Sequence, residues 1–147
     1  MTDSEQTRFH IKLPDGWENQ TIYTYAGPDE DDNPHIMTLA VDPYAGDVPL
    51  DEYAAEHLDL LAGSLPGFEL LKDEDRVLPG GRQVHEYLIK WIPGEDTIRF
   101  RKQFFLINSE VGYSFSANFT KKTLKTVGTQ MEQIVGTFQP GAEATRA

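Results

Sequence analysis

The stretch IRFRKQFFLI (98–107) decides how this chain folds. Written as a strand, its side chains alternate between two faces. Ile98, Phe100, Lys102, Phe104 and Leu106 form one row, which reads as core. Arg99, Arg101, Gln103, Phe105 and Ile107 form the other. That second row mixes two arginines and a glutamine with two large apolar groups. What it covers is the question on which both architecture and function turn.

Working outward, three further runs of similar length flank it. Strands are predicted over 68–78, 82–92, 96–108 and 111–120, joined by the short links PGG, PGED and SE. Such links between alternating runs make an antiparallel meander. Before it, PLDEYAAEHLDLLAGSL (49–65) is the clearest helix. Leu50, Ala54, Leu58, Leu61 and Leu65 recur at spacings of three and four,. Asp51 and Glu52 suit its positive N-terminal end, and Gly63 and Pro66 mark its exit,.

Earlier still, RFHIKLP (8–14), QTIYTYA (20–26) and HIMTLAVD (35–42) read as strands, with DGW turning the chain and GPDEDDNP (27–34) as a loop,. Trp17 of that turn is expected in the core. At the far end Leu124, Val127, Met131, Ile134 and Phe138 predict a closing amphipathic helix,. The order is three strands, helix, four strands, helix. It predicts an α+β fold: a single twisted, largely antiparallel sheet with flanking helices. One domain, 1–147, is expected, with an ordered core of about 7–139 and a short flexible tail, 140–147.

Composition narrows the function. The 147 residues carry a net charge of −11, from 13 basic and 24 acidic side chains. That argues against general nucleic-acid binding and against anionic membrane surfaces. With no cysteine, disulfides, thiolate nucleophiles and cysteine metal sites are impossible, and a reducing compartment is permitted,. No signal peptide is read at the N-terminus, and no apolar run approaches ~18 residues. Without secretion, the patterns Asn19-Gln20-Thr21 and Asn118-Phe119-Thr120 carry no meaning as glycosylation sites.

Catalytic and metal signals are weak. His10, His35, His57 and His85 are scattered, and none sits in a ligand or nucleophile–base spacing,. The acidic run 28–35 lacks the glycine and terminal glutamate of a calcium loop. Gly80-Gly81 joins two strands, so no phosphate cradle is indicated. No serine lies in a nucleophile elbow. The expectation is no enzyme, no cofactor and no metal.

The sheet faces hold the remaining signal. Val111, Tyr113, Phe115, Ala117 and Phe119 make a core row, opposed by Gly112, Ser114, Ser116 and Asn118. Met37, Leu39 and Val41 oppose Ile36, Thr38, Ala40 and Asp42, and Tyr23 and Tyr25 oppose Ile22 and Thr24. One face is bulky. The other carries Ile22, Thr24, Thr38, Ala40, Gln103, Phe105, Ser114 and Ser116. Small residues, hydroxyls and an amide suit close approach of a helix, as in packed transmembrane helices. The plainer alternative is the solvent face of a half-exposed sheet.

Three stretches carry a family resemblance: KLPDGWENQTIYTY (12–25), GDVPLDEYAAEHLDLLAGSLPGFELL (46–71) and FRKQFFLI (100–107). They resemble the DcrB-like family with a PsbP-like (Mog-type) fold, an α/β/α sandwich, and look closest to the Eag chaperones of type VI secretion effectors. The resemblance runs from Lys12 to Phe138. Its most specific motifs are Pro14-x-x-Trp17, then Leu65-Pro-Gly-Phe68, then Lys102-Gln-x-Phe105. It implies a cytoplasmic homodimer that holds prospective transmembrane helices, near the N-terminus of a secreted effector, in a concave sheet groove. Ile22, Thr24, Thr38, Ala40, His57, Leu61 and Gln103 would line that groove, with Phe105 beside them. Arg99 and His57 depart from the pattern, which leaves the client open. A regulatory or scaffold module on the same fold, with a folded partner and no deep groove, is the alternative.

Overall fold

The computed structural model of the chain describes residues 11–17, 21–27 and 35–140. Six strands make one antiparallel sheet: β1 (Ile22–Ala26), β2 (Ile36–Asp42), β3 (Glu69–Leu78), β4 (Arg82–Gly94), β5 (Thr97–Asn108) and β6 (Val111–Phe119). Their spatial order is β1-β2-β6-β5-β4-β3. The meander β3 to β6 follows from its tight links. Chain reversal at Ser109-Glu110 pairs Asn108 with Val111, and the Pro79–Gly81 link pairs Leu78 with Arg82. The β2–β6 contact is the non-local one, with Leu39 opposite Phe115 and Ala40 opposite Ser114.

Helix α1 (Leu50–Ser64) crosses between β2 and β3 and lies on one face. Pro49 precedes it with φ −59°, and Asp51 and Glu52 occupy its first turn. Beneath it lies a cluster of Tyr53, Ala54, Leu65, Tyr87, Ile89 and Phe105. On the other face, Leu39, Phe104, Leu106, Tyr113, Phe115 and Phe119 pack against Met131 and Val135 of the C-terminal helices. Both rows of the IRFRKQFFLI strand are therefore largely covered. Phe104 and Phe105, adjacent in sequence, enter separate cores.

Three expectations change. The predicted strand 8–14 does not form over Ile11 to Pro14, whose residues are irregular and exposed and have no pairing partner; its first part lies outside the described residues. Trp17 is not core but 69% exposed: it closes the turn at Asp15-Gly16, its N–H donating to Pro14 O at 3.3 Å, within a segment whose described residues are all exposed. The closing helix is two: α2 (Lys121–Leu124) and α3 (Val127–Gly136). A reciprocal cap between Thr120 and Thr123 sets the first turn, and the chain re-aims at Thr126 (φ −105°, ψ −75°) before α3 begins. The remaining strands start or stop within a residue or two of their predicted bounds. The loop 28–34 and the tail beyond Pro140 lie outside the described residues.

Candidate functional site

Helix α1 covers only part of its face. Over β1, β2 and β6 no described element covers that face, and two cross-strand rows run through it. One passes Ile22, Ala40, Ser114, Phe105, His85 and Asp75; the next passes Thr24, Thr38, Ser116, Gln103, Tyr87 and Asp73. Each row is open at its β1 end and roofed by α1 towards β4. Thr38 and Ser116 join hydroxyls at 2.8 Å. Ile22 is 62% exposed. His57, on the side of α1, bonds through Nδ1 to Tyr53 O at 2.9 Å and lies 5.1 Å from the Phe105 ring. A cavity of about 190 Å³ opens between them, lined by Ile22, Ala40, Asp42, Tyr53, His57 and Ser114.

Of the predicted groove residues, Ile22, Thr24, Thr38 and Ala40 share this open face, His57 borders it, and Gln103 forms its floor. Leu61 is partly buried against the α1 core. The reading of Phe105 as a groove residue does not hold. It is 0% exposed, clamped edge-on by Tyr53 and Tyr87. Its apolar surface is already covered by this chain's own helix.

Gln103 is the central polar group, only 5% exposed. Its Oε1 accepts a hydrogen bond from Arg101 Nε at 2.8 Å, which leaves its amide N–H donors without a partner among the described residues. Arg101 lies on the same face, opposite Asn118, and burial lowers its pKa. Arg99 also faces this side, opposite Trp91, whose indole N–H donates to Asn118 Oδ1 at 2.9 Å. At the other end Tyr53 Oη donates to Asp42 Oδ2 at 3.3 Å. Burial, then the nearby Asp42, pushes the Tyr53 phenol well above its ordinary range.

Two charged clusters lie elsewhere. His85 is bonded through Nδ1 to Asp75 and through Nε2 to Asp73, each at 2.6 Å. Burial pulls its pKa down, but the Asp75 and Asp73 hydrogen bonds outweigh it and the net shift is upward. Beside it the Tyr87 phenol is pushed up to about 12, by burial first and then by Asp73, Asp51 and Asp59. On the opposite face Arg76 reaches Glu86 at 2.7 Å and Glu132 at 3.2 Å, and Lys102 contacts Glu132. Glu86 is fully buried beneath α3, with Lys102 Nζ 3.7 Å from its Oε2. Burial pushes the Glu132 carboxyl up, yet hydrogen bonds from Arg76 and Lys102 hold it below the usual range. These are pairs that fasten elements together. Among the described residues no trio of histidine and carboxylate side chains is arranged to hold a metal, and no helix is long and apolar enough to cross a membrane.

The sequence pattern of the DcrB family matches residues 9–137, nearly the whole sheet and all three helices. The chain belongs to the DcrB family. No curated protein matches it. Among solved structures it is similar to PA94 of Pseudomonas aeruginosa, a protein of unknown function suggested to be a regulator. They share 23% identity over 91% of this chain and 94% of that one, with a TM-score of 0.70. LpqN of Mycobacterium tuberculosis, involved in cell envelope biogenesis, is 14% identical over 74% and 76%, with a TM-score of 0.45.

In this DcrB-family chain the resemblance motifs have separable physical roles. Leu65 to Phe68 turns α1 into β3. Gly67 adopts φ +67° with the Ile92 side chain 3.0 Å from where a Cβ would stand, and Ile92 N–H donates to Pro66 O at 2.8 Å. Lys102 to Phe105 sends Lys102 to the charge cluster, Gln103 to the open face and Phe105 to the α1 core. The sequence reading missed Asp42, Tyr53 and the His85 clamp. Tight hairpin links were the available signal: counting outward from the Pro79–Gly81 link pairs Asp75 with His85.

Proposed function

We propose that this chain is a non-enzymatic chaperone or adaptor. It would shield prospective transmembrane helices of a type VI secretion effector on the open face of β1, β2 and β6, working in the cytoplasm as a homodimer. One observation carries the reading. A sheet face of small and hydroxyl residues that no described element covers surrounds a nearly buried glutamine whose amide N–H donors have no partner among the described residues. Hydroxyl and amide groups complement polar atoms on a close-packed apolar helix. Ile22, Ile36 and the flank of α1 supply apolar contact, at about 25 cal/mol per Å² removed from water. The net charge of −11 would keep a protein with such a face in solution,.

The test is co-expression with an effector's apolar N-terminal segment, followed by pull-down and sizing. Gln103→Ala and Ile22→Asp are each expected to reduce the soluble complex at least ~10-fold while circular dichroism stays native. Unchanged complex with both variants would sink the groove reading. Failure of the wild type to hold the segment would favour a regulatory or scaffold module with a folded partner.

A further inference from the structure

The open face carries opposite charges at its two ends. At one end Asp42 is level with Gly112 and lines the cavity beside Ile22 and His57. Its carboxylate accepts from Tyr53 Oη at 3.3 Å and Tyr44 N at 2.9 Å, and no cation pairs with it among the described residues. At the other end stands Arg101, opposite Asn118, which lies one position past the Met37–Ala117 pair and so level with Ile36. No carboxylate pairs with Arg101 among the described residues; its one partner is the neutral Gln103. Between the ends lie Thr24, Thr38, Ser116 and the unused amide donors of Gln103.

We infer that this face seats one apolar α-helix in one direction, along β2, with its N-terminus over Asp42 and its C-terminus at Arg101. The inference rests on the chaperone reading and deepens it. A helix ends in free N–H groups with partial positive charge at its N-terminus and free carbonyls with partial negative charge at its C-terminus. Asp42 is an acceptor for the first, and Arg101 has spare guanidinium donors for the second. The reverse placement sets N–H groups against a guanidinium and carbonyls against a carboxylate. Length agrees: the seven residues of β2 span roughly 20 Å at ~3.3 Å per step, or about 13 helical residues at ~1.5 Å each. Hydroxyls in the middle allow the close approach that lets both ends engage.

Disulfide mapping tests it, because the chain has no cysteine of its own. Ile22→Cys marks the Asp42 end and Ile36→Cys the Arg101 end; both positions are exposed, at 62% and 51%. The probe is a soluble carrier displaying one Leu- and Ala-rich helix of about 14 residues with a single cysteine at its N-terminal or C-terminal end. The N-terminal cysteine is expected to cross-link Ile22→Cys roughly 10-fold over Ile36→Cys, and the C-terminal cysteine the reverse. Arg101→Gln should bring both ratios towards one with the complex still formed, whereas Arg101→Lys, which keeps the charge, should preserve them. Equal or inverted ratios in the wild type would overturn the direction while leaving the groove. A complex that cross-links at neither position would overturn the groove as well. Absence of any complex would overturn the chaperone reading and the inference with it. Ile22→Cys linking two copies without the carrier, with the linked pair unable to take up the carrier helix, would make a second copy the occupant and refute the inference.

Discussion

At Ser109 and Glu110 the backbone turns through positive φ, 52° and 67°, without a glycine. Consecutive left-handed residues suit a two-residue hairpin, whose twist matches the flanking strands, but each side chain there costs roughly 1 kcal/mol. Glu110→Gly is therefore expected to stabilise the protein by up to ~1 kcal/mol, raising Tm by roughly 2–4 °C; thermal melts read this directly. His85 is the other single residue with a physical consequence. Both ring nitrogens donate to carboxylates, which requires the imidazolium,. Its folded pKa is raised above the ordinary 6.5, so its contribution is complete below that value and fades as pH rises through the folded one. The stability difference between wild type and His85→Gln should shrink as pH rises above ~6.5. A difference that stays flat across that range would refute the clamp.

Helix α1 is seated by a residue that is nearly nothing. A Cβ on Gly112 would collide with Tyr53 Oη and approach Ala45 Cβ to 3.0 Å. Gly112→Ala must therefore push Tyr53 off Asp42 and tilt the N-terminal end of α1, at an expected cost of about 1–3 kcal/mol. Combined with Tyr53→Leu, which removes both the colliding oxygen and the ring Cζ behind it, the loss should be less than additive in denaturant titrations. Helix α3 is held differently, by Glu132 among Arg76 and Lys102 above the buried Glu86. Such a network costs desolvation in return for one definite placement. The sequence pointed to α1 through its leucine spacing and to α3 through Val127, Met131 and Ile134. It did not point to the break at Thr126, because Leu124 and Phe138 keep the same apolar spacing across it while the Thr120–Thr123 cap and tertiary packing decide where the helix stops.

Across the whole molecule the covered and uncovered apolar groups are unevenly placed. The middle of β4 and β5, Val84 to Tyr87 and Lys102 to Leu106, is closed on both faces. Exposed Ile22, Tyr23, Tyr25 and Ile36 gather at the β1 edge. Trp17 also stands in solvent, so Trp17→Ala should leave the unfolding free energy within about 0.5 kcal/mol of wild type. A large loss of stability would place it back in the core.

The sequence by itself determined the strand alternation, the meander, the leucine face of α1 and the row of small polar residues opposite the core. Each depends on local spacing: period two in strands, three to four in helices, and tight turns that fix register between neighbours. Only the tertiary structure decided that Phe105 lies under α1 while Gln103, two residues earlier, reaches the open face. It alone brought Asp42 to one end of that face and Arg101 to the other, and it set Glu86 against Lys102 beneath α3. Those outcomes depend on where a helix lies across a sheet. Side-chain volumes on both partners, Gly112 beneath Tyr53 among them, set that placement, and no local period in the chain encodes it.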